Sequence, residues 1–297
     1  MKKKFIYYSD LFLKTSYIKN KKSTYSTYQY IIHKHINPYF ADYTVDKINI
    51  ESVILFTDNL LSSGLNNKSI KDILVLLHEI FRLANIYIDI PYPKVIKKEI
   101  KTFSFKEQYL LEKELLDNIT PIKLGIYLTL YTGIRVGELC ALRINDIDIN
   151  SRTLFIKKTL SRVVDSSSKK KTRVIIDSPK TIHSIREIPI PSFIISYIKD
   201  IHYQDNSYFL TNMNHYLEPR ALSYHYRKIL KKINVPYYNF HVLRHTFATR
   251  CINEGADPKT LSEILGHSSV RITLERYVHP NYKNKECLIN KIKPLFH

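Results

Sequence analysis

Apolar residues recur with the spacing of an α-helix through residues 1–88 of this chain. Two stripes stand out: Val53, Phe56, Leu60 and Leu61, followed by Ile70, Ile73, Leu77, Ile80 and Phe81. Gly64, a residue type that commonly follows a helix C-terminus, separates them. An earlier segment has Ser23 as a candidate N-cap and Pro38 as a candidate stop. The pattern predicts a small helical bundle over residues 1–88.

The periodicity is lost in residues 89–104, where two prolines precede a run of lysines ("PYPKVIKK"). Such a composition is typical of a linker between domains. A basic linker either lies along a DNA backbone or is a solvated connector, and the sequence favours neither interpretation. We therefore predict two domains, residues 1–88 and 105–297, joined by this linker.

Two periodicities alternate after the linker. The segments "FKEQYLLEKELLD" and "PIKLGIYLTLYTG" have helical spacing, whereas "TLFIKKTLSRVV", "TRVIID" and "IREIPI" are short, β-branched and partly alternating, as strands are. Helical spacing then returns. Its helix boundaries are marked by Pro219 at a first helical position, Asp257 and Pro258 at an N-cap and first position, and Gly255 and Gly266 after C-termini. The second domain is thus expected to combine helices with a few short strands.

The net positive charge of the chain indicates which class of partner it binds. The chain has 46 Lys and Arg against 27 Asp and Glu, a net charge of +19, and a pI of about 9.6. This excess favours a polyanion such as nucleic acid, the alternative being a generally basic soluble protein. Cys140, Cys251 and Cys287 are far apart and odd in number, which fits a reducing compartment rather than a disulfide framework. With no signal peptide and no long apolar run, we expect a cytoplasmic protein without a membrane partner.

The segment "FHVLRHTFAT" carries the most unusual group of side chains. His241, Arg244 and His245 fall at i, i+3 and i+4, so they share one face of a helix. Two histidines at this spacing also occur in zinc hydrolases, but those enzymes need a glutamate directly after the first histidine. Here that position is Val242, and a cation lies between the histidines. A phosphate is therefore the favoured ligand, and no metal or other cofactor is expected.

Further groups that suit a phosphate occur along the second domain. In "YTGIRVGELCALR", Arg135 follows a Thr-Gly turn, where its guanidinium can fork onto two oxygens of one phosphate. "SPKTIHSIREIPIP" has Lys180 at the tip of a strand–turn–strand, "LGHSS" has His267 after a helix stop, and "TLERYVH" has Tyr277 on the next helix. Taken singly, each has an ordinary alternative, such as a surface salt bridge for Arg135 or a hairpin lysine for Lys180.

Five of these motifs occur in a fixed order within residues 105–280: "TGIRVGEL", "SPKTIHSIREIPIP", "HVLRHTFAT", "LGHSSVRIT" and "ERYVH". In that order they resemble the tyrosine recombinases, or phage integrase family. The N-terminal helices resemble the family's core-binding, SAM-like domain. The implied fold is an all-helical N-terminal bundle plus a mainly helical catalytic domain with a small antiparallel sheet, closing as a C-shaped clamp around DNA.

The resemblance implies a reaction and the residues that move protons in it. Tyr277, one of 23 tyrosines, would attack a DNA phosphodiester to give a 3′-phosphotyrosine and a free 5′-hydroxyl. Lys180 would protonate the departing 5′-oxygen, and His241 would assist proton removal from the tyrosine. A phenol with a pKa near 10 needs such help at neutral pH.

The resemblance also implies a set of residues that hold the phosphate. Arg135 and Arg244 would clamp the non-bridging oxygens of the scissile phosphate, and His267 would add a hydrogen bond. Glu138 would brace the first arginine from behind. His245 would be a structural neighbour without a catalytic role.

As partners, the family implies a double-stranded DNA recombination site and a homotetramer in the synaptic complex, formed from a free monomer or a dimer on one site. Accessory DNA-bending proteins and association with the nucleoid are further expectations. The task is either integration and excision of a mobile element or resolution of chromosome dimers. The length resembles Xer-type enzymes and the cationic loop "SSSKKKTR" resembles mobile-element integrases, so this choice stays open.

Two other functions compete with recombination. A non-catalytic helix-turn-helix regulator would use "PKTLSEILGHSSVRITLERY", with the helix after Gly266 as reader. That alternative leaves Arg135, Lys180 and Arg244 unexplained. A type IB topoisomerase-like nicking enzyme would share the phosphotyrosine chemistry, but the N-terminal bundle and "TGIRVGEL" favour a recombinase.

Overall fold

The computed structural model describes residues 3–96, 99–164, 172–177 and 184–278, together with 286, 289 and 290. Lys180 and the greater part of the C-terminal tail therefore lie outside the described residues. The chain divides into two compact units, Met1–Lys98 with Arg162–Ile175, and Glu99–Ser161 with Ile176–His297. No helix in the described part is long and apolar enough to cross a membrane.

In the first unit, the described residues 3–96 form five helices and two short helical turns. The helices are α1 (Phe5–Lys19), α2 (Lys22–Ile31), α3 (Asn37–Phe40), α4 (Ile50–Ser62) and α5 (Asn67–Leu83), with a π-helical turn at Ile32–Ile36 and a 3-10 turn at Val45–Lys47. A capping box between Asn49 and Ser52 starts α4. The apolar stripes face one core that includes Phe5, Phe40, Phe56, Leu77 and Phe81, so the predicted bundle is confirmed.

Three details of the predicted bundle are wrong. Ser23 is not an N-cap, because α2 already begins at Lys22. Pro38 does not stop the helix, because the π-helical turn shifts the hydrogen bonds and leaves the proline in the first turn of α3, where its missing N–H is tolerated. Leu61 is 45% exposed instead of joining the core.

Residues 162–164 and 172–175 still belong to the first unit, and the other described residues from 99 onward form the second. Its helices are α6 (Phe105–Leu116), α7 (Pro121–Thr132), α8 (Val136–Ala141), α9 (Ser192–Asp200), α10 (Pro219–Lys232), α11 (His241–Asn253), α12 (Pro258–Leu265) and α13 (Val270–Tyr277), with a 3-10 turn at Ile144–Asp146. The strands along this part of the chain are β1 (Ile147–Asp148), β2 (Thr153–Ile156), β3 (Thr159–Val164), β4 (Thr172–Asp177) and β5 (Arg186–Pro189). As expected, Pro219 and Pro258 lie in first turns, and Gly255 and Gly266 have φ of +84° and +61°.

The strands form two small sheets. β1, β2 and β5 make an antiparallel sheet in which Leu154 pairs with Ile147 on one side and Ile188 on the other. β3 and β4 pair separately. The segment predicted as a single strand is therefore divided at residues 157–158 between the two sheets.

Helices α11, α12 and α13 pack on a core of their own. Ala248, Leu261, Leu265 and Tyr277 are buried together, with Phe247 packed against them. α7 also packs on α11. This packing fixes the ends of α7, α12 and α13 relative to α11, and these ends carry the predicted chemical residues.

Candidate active site

The turn between α7 and α8 presents Arg135. Gly133 ends α7 in the left-handed region at φ +63°, and a Cβ there would lie 2.6 Å from the Phe247 ring. Arg135 follows as the N-cap residue of α8. Its backbone N–H and its Nη1 both donate to Glu138, at 2.9 and 2.8 Å. The guanidinium is thereby aimed while 34% of the side chain stays exposed.

Glu138 is buried between two arginines. Its side chain is 2% exposed, and besides Arg135 it accepts two bonds from Arg186, at 3.1 Å from Nη1 and 2.9 Å from Nη2. Burial raises the pKa of Glu138, but the ion pairs with Arg186 and Arg135 outweigh it, so the pKa lies below its ordinary value. The carboxylate is charged at neutral pH and holds both guanidiniums.

Arg244 is one of the largest fully buried side chains, with 2% of the residue exposed. Its Nη1 donates to the carbonyl of Gly133 at 2.8 Å and its Nη2 to that of Leu265 at 2.7 Å. Burial, followed by the charge of Arg135, lowers the pKa of Arg244 to about 9, which leaves it charged at neutral pH. Since a guanidinium has five donors, N–H groups remain for a ligand.

Three arginines converge on the C-terminal end of α12. The last carbonyls of a helix have no partner within it and carry the negative end of its dipole. Here three successive carbonyls are each capped by a different guanidinium: Ile264 by Arg186 at 2.6 Å, Leu265 by Arg244 at 2.7 Å and Gly266 by Arg135 at 2.8 Å. The helix end therefore gathers three cations that would otherwise repel one another.

The hydroxyl of Tyr277 lies in the same site, 2.8 Å from Nδ1 of His245. Tyr277 is 5% exposed; burial raises its pKa above the ordinary value, although the charges of Arg244 and Arg276 oppose this. Burial and Arg276 lower the pKa of His245 to about 4, so its ring is neutral at pH 7. The phenol can then donate to Nδ1 in the tautomer that carries the proton on Nε2.

Two further histidines surround the phenol. The His267 ring is parallel to that of Tyr277 at 6.3 Å between centroids, and its Nδ1 lies 2.8 Å from Oγ1 of Thr273. Burial and Arg244 lower the pKa of His267 to about 3. His241 packs edge-on against His245 at 4.7 Å between centroids. His241 keeps a solvent-exposed edge, but desolvation of the ring and the nearby charges lower its pKa to about 4.

The structure brings together all the predicted residues of this site that it describes. Arg135, Glu138, Arg244, His267 and Tyr277 share hydrogen bonds, carbonyls or ring contacts, and His241 adjoins them through His245, as described above. Lys180 lies outside the described residues. Within the described ranges, no group of three or more His, Cys, Asp or Glu side chains could hold a metal ion.

Two residues were missed or undervalued from the sequence. Arg186 was not predicted to take part, although it lies two residues before the buried Ile188 on β5 and therefore on the same, interior face of the strand. His245 was expected to be a bystander, yet it is hydrogen-bonded to the tyrosine hydroxyl. Its place on the same helical face as His241 and Arg244 was the available signal.

Protein-family models match a segment in each of the two parts of the chain. Residues 112–284 match the model of the phage integrase family, and residues 4–60 match the phage integrase N-terminal SAM-like domain. A XerC-like tyrosine recombinase of Caldanaerobacter subterraneus is 33% identical over 220 residues, which cover 68% of this chain and 56% of that relative. The ICEBs1 integrase of Bacillus subtilis is 25% identical over 93% of this chain and 78% of its own length.

Solved structures share the fold. The Tn1549 transposon integrase, in complex with a circular intermediate DNA, superposes with a TM-score of 0.80 at 20% identity, covering 97% of this chain and 99% of that one. A lambda integrase dimer bound to a COC′ core site gives a TM-score of 0.66 at 17% identity, over 93% and 95% of the two chains. The expected combination of a SAM-like bundle with a mainly helical domain carrying a small antiparallel sheet is confirmed.

Proposed function

This chain belongs to the phage integrase family, and we propose that it is a site-specific DNA recombinase that cuts and rejoins strands through a 3′-phosphotyrosine on Tyr277. One observation carries the proposal. A buried phenol, hydrogen-bonded to a neutral histidine and stacked on a second one, lies in the field of Arg244 and Arg135. Such an arrangement suits a nucleophile that attacks an anionic phosphodiester.

The proposed reaction has the following bond changes. The Tyr277 oxygen attacks phosphorus, its proton passes to His245 with His241 behind it, and the bond from phosphorus to the 5′-oxygen breaks. Lys180 supplies the proton that the leaving 5′-oxygen takes. The 5′-hydroxyl of another strand then attacks the phosphotyrosine and reverses these steps. Because the tyrosine–DNA phosphodiester keeps the energy of the broken bond, joining uses no ATP.

The phosphate is held by the remaining donors of Arg135 and Arg244, with His267 beside them. Negative charge grows on the non-bridging oxygens in the transition state, and each well-placed donor contributes about 3 kcal/mol to its stabilisation. In this proposal the guanidiniums supply that stabilisation.

Helix α10 supports duplex DNA as the partner. Leu222, Tyr226 and Leu230 face the interior at helical spacing. The opposite side exposes a tyrosine and five cations: Arg220, Tyr224, Arg227, Lys228, Lys231 and Lys232. Such a face suits the phosphate backbone, with an affinity that falls steeply as salt rises. The proposal extends to four protomers on two sites, with a monomer or dimer before synapsis, and to association with the nucleoid.

This chain resembles both a XerC-like tyrosine recombinase and an integrase, that of ICEBs1. The proposal therefore covers integration and excision of a mobile element as well as dimer resolution. The rival regulator is disfavoured because it leaves the buried Tyr277 and its hydrogen bond to His245 without a role.

A covalent-adduct assay tests the proposal. The wild-type protein is incubated in EDTA with nicked duplexes of random sequence, and DNA that stays attached in SDS is recovered and sequenced. We expect an enriched site and an SDS-resistant adduct, which Tyr277→Phe abolishes while the dissociation constant for the enriched duplex changes little. A regulator would bind DNA without forming an adduct.

A further inference from the structure

We propose that Arg186 is a positioning residue of the site: it keeps Glu138 from capturing Arg135 and sets the turn that presents His267. This rests on the proposed function, since positioning is measured by the cleavage that Arg135 and His267 are proposed to assist. Arg186 lies behind the phosphate-facing residues and has no predicted contact with DNA.

The donors of Arg186 are almost fully used within the protein. Nε donates to Ile264, Nη2 to Glu138, and Nη1 to both Glu138 and the Ser184 carbonyl, the last at 3.1 Å. The side chain is only 6% exposed. Four of its five N–H groups thus have protein acceptors. Arg135, by contrast, is 34% exposed and has donors to spare. The two arginines on Glu138 therefore differ in role: one can receive a phosphate, the other cannot.

Arg186 also decides how strongly Glu138 holds Arg135. With both arginines present, the buried carboxylate shares its two oxygens between two guanidiniums. Without Arg186 the carboxylate keeps its charge at 2% exposure, and a buried charge with too few partners is strongly unfavourable. Arg135 is the guanidinium left to satisfy it. Both of its Nη groups would then turn toward Glu138 and away from the open side where a phosphate must lie.

The second contact of Arg186 is with the turn before His267. A Cβ on Gly266 would come within 3.0 to 3.2 Å of Nη1, Cδ and Cζ of Arg186, so the guanidinium lies directly against this glycine. Arg186 also caps Ile264, two residues earlier. Because His267 follows immediately after Gly266, the packed guanidinium fixes the path of the chain into that histidine.

A different role for Arg186 is a buried ion pair that stabilises the fold and nothing more. The two roles predict opposite signs in a double variant. If Arg186 only stabilises the fold, replacing Glu138 as well adds a second polar defect. The double variant then reacts no faster than Arg186→Met alone. If Arg186 keeps Glu138 from capturing Arg135, removing the charge of Glu138 releases Arg135 and restores activity.

The experiment compares the wild-type protein with Arg186→Met, Glu138→Gln and the double variant, with Arg271→Met as an exposed-arginine control (its side chain is 83% exposed). The probe is the duplex enriched by the wild-type adduct assay, and the readouts are the single-turnover rate of adduct formation and the dissociation constant. We expect Arg186→Met to slow adduct formation about a hundredfold with little change in DNA binding. The double variant should regain about tenfold of that loss.

Two results would overturn the inference: an Arg186→Met rate close to that of the control variant, or a double variant no faster than Arg186→Met. Should Arg186→Met fail to fold, Arg186→Lys replaces it, since lysine keeps the charge but not the fork; Glu138→Gln must again accelerate that variant. If wild type forms no adduct with any duplex, the proposed function fails. The inference is then tested by the increase in melting temperature that inorganic phosphate gives each variant, a measurement that needs no cleavage. This increase must be largest for wild type, smaller for the double variant and smallest for Arg186→Met.

Discussion

The Tyr277 hydroxyl lies 2.8 Å from Nδ1 of His245, whereas His241 reaches it only through the ring of His245. From the family resemblance we expected His241 to assist proton removal from the tyrosine. This hydrogen bond leads us to expect that His245 is the immediate proton acceptor and that His241 acts from one ring away. Because both rings have lowered pKa values of about 4, both are neutral at pH 7, and each has a ring nitrogen whose lone pair can accept a hydrogen bond.

We predict that His245→Ala and His245→Asn both slow adduct formation about a hundredfold at pH 7, because a positioned base contributes on this order. Asparagine places an oxygen near the position of Nδ1, so it keeps the hydrogen bond but does not take up the proton. Both variants should gain rate as the pH rises toward the pKa of the phenol, while wild type is nearly flat above pH 6. If the asparagine variant matches wild type, His245 orients Tyr277 and the base lies elsewhere.

Arg244→Lys is expected to be nearly as damaging as Arg244→Ala, with adduct formation slower by about two orders of magnitude. One ammonium cannot bridge the carbonyls of Gly133 and Leu265 and still fork onto a phosphate. Arg250→Lys, on the same helix but with a 47% exposed side chain, is the matched control. A fully active Arg244→Lys variant would contradict bidentate clamping. The measurement is the single-turnover rate on the enriched duplex.

Gly266→Ala should destabilise the fold more than Gly255→Ala, although both glycines have positive φ. At Gly255 no atom lies within 4 Å of the added Cβ, so only the left-handed backbone is penalised, by about 1 kcal/mol. At Gly266 the Cβ would also lie 3.0 to 3.2 Å from Arg186, so that this side chain has to shift slightly. Chemical denaturation gives the two free energies of unfolding, and the adduct rate should fall only for Gly266→Ala. Equal losses for the two variants would contradict the packing of Arg186 on this turn.

The free energy of unfolding should decrease as the pH falls from about 6.5 toward 4. The pKa values of His241, His245 and His267 lie at about 4, 4 and 3 in the folded chain, below the ordinary histidine value near 6.5. In that window the unfolded chain binds more protons than the folded one, so acid favours unfolding. Urea titrations at pH 7, 6 and 5 measure the slope, and His245→Asn should reduce it. A slope unchanged by that substitution would show that His245 is not held neutral by the fold.

The sequence was most informative where local chemistry decides the structure. Gly64, Gly255 and Gly266 each adopt positive φ after a helix, and Asp257 caps α12, as their residue types predicted. These features depend on a few neighbouring residues, so a linear pattern contains them. Pro38 was misjudged because the π-helical turn that accommodates it is itself set by packing against the bundle core.

The site was predictable as far as its motifs reach. Arg135, Arg244, His267 and Tyr277 were all expected together, and their hydrogen bonds and ring contacts join them. Which partner each residue takes was not predictable, because it depends on contacts between distant parts of the chain. Arg186 meets Glu138 across 48 positions, and Tyr277 meets His245 across 32.

The convergence of three guanidiniums on one helix end has a consequence for the free protein. Each gains a carbonyl from α12, but one buried carboxylate neutralises only part of their charge, so a net positive charge remains at this helix end. An anion bound beside Arg135 and Arg244 would reduce the repulsion among these guanidiniums.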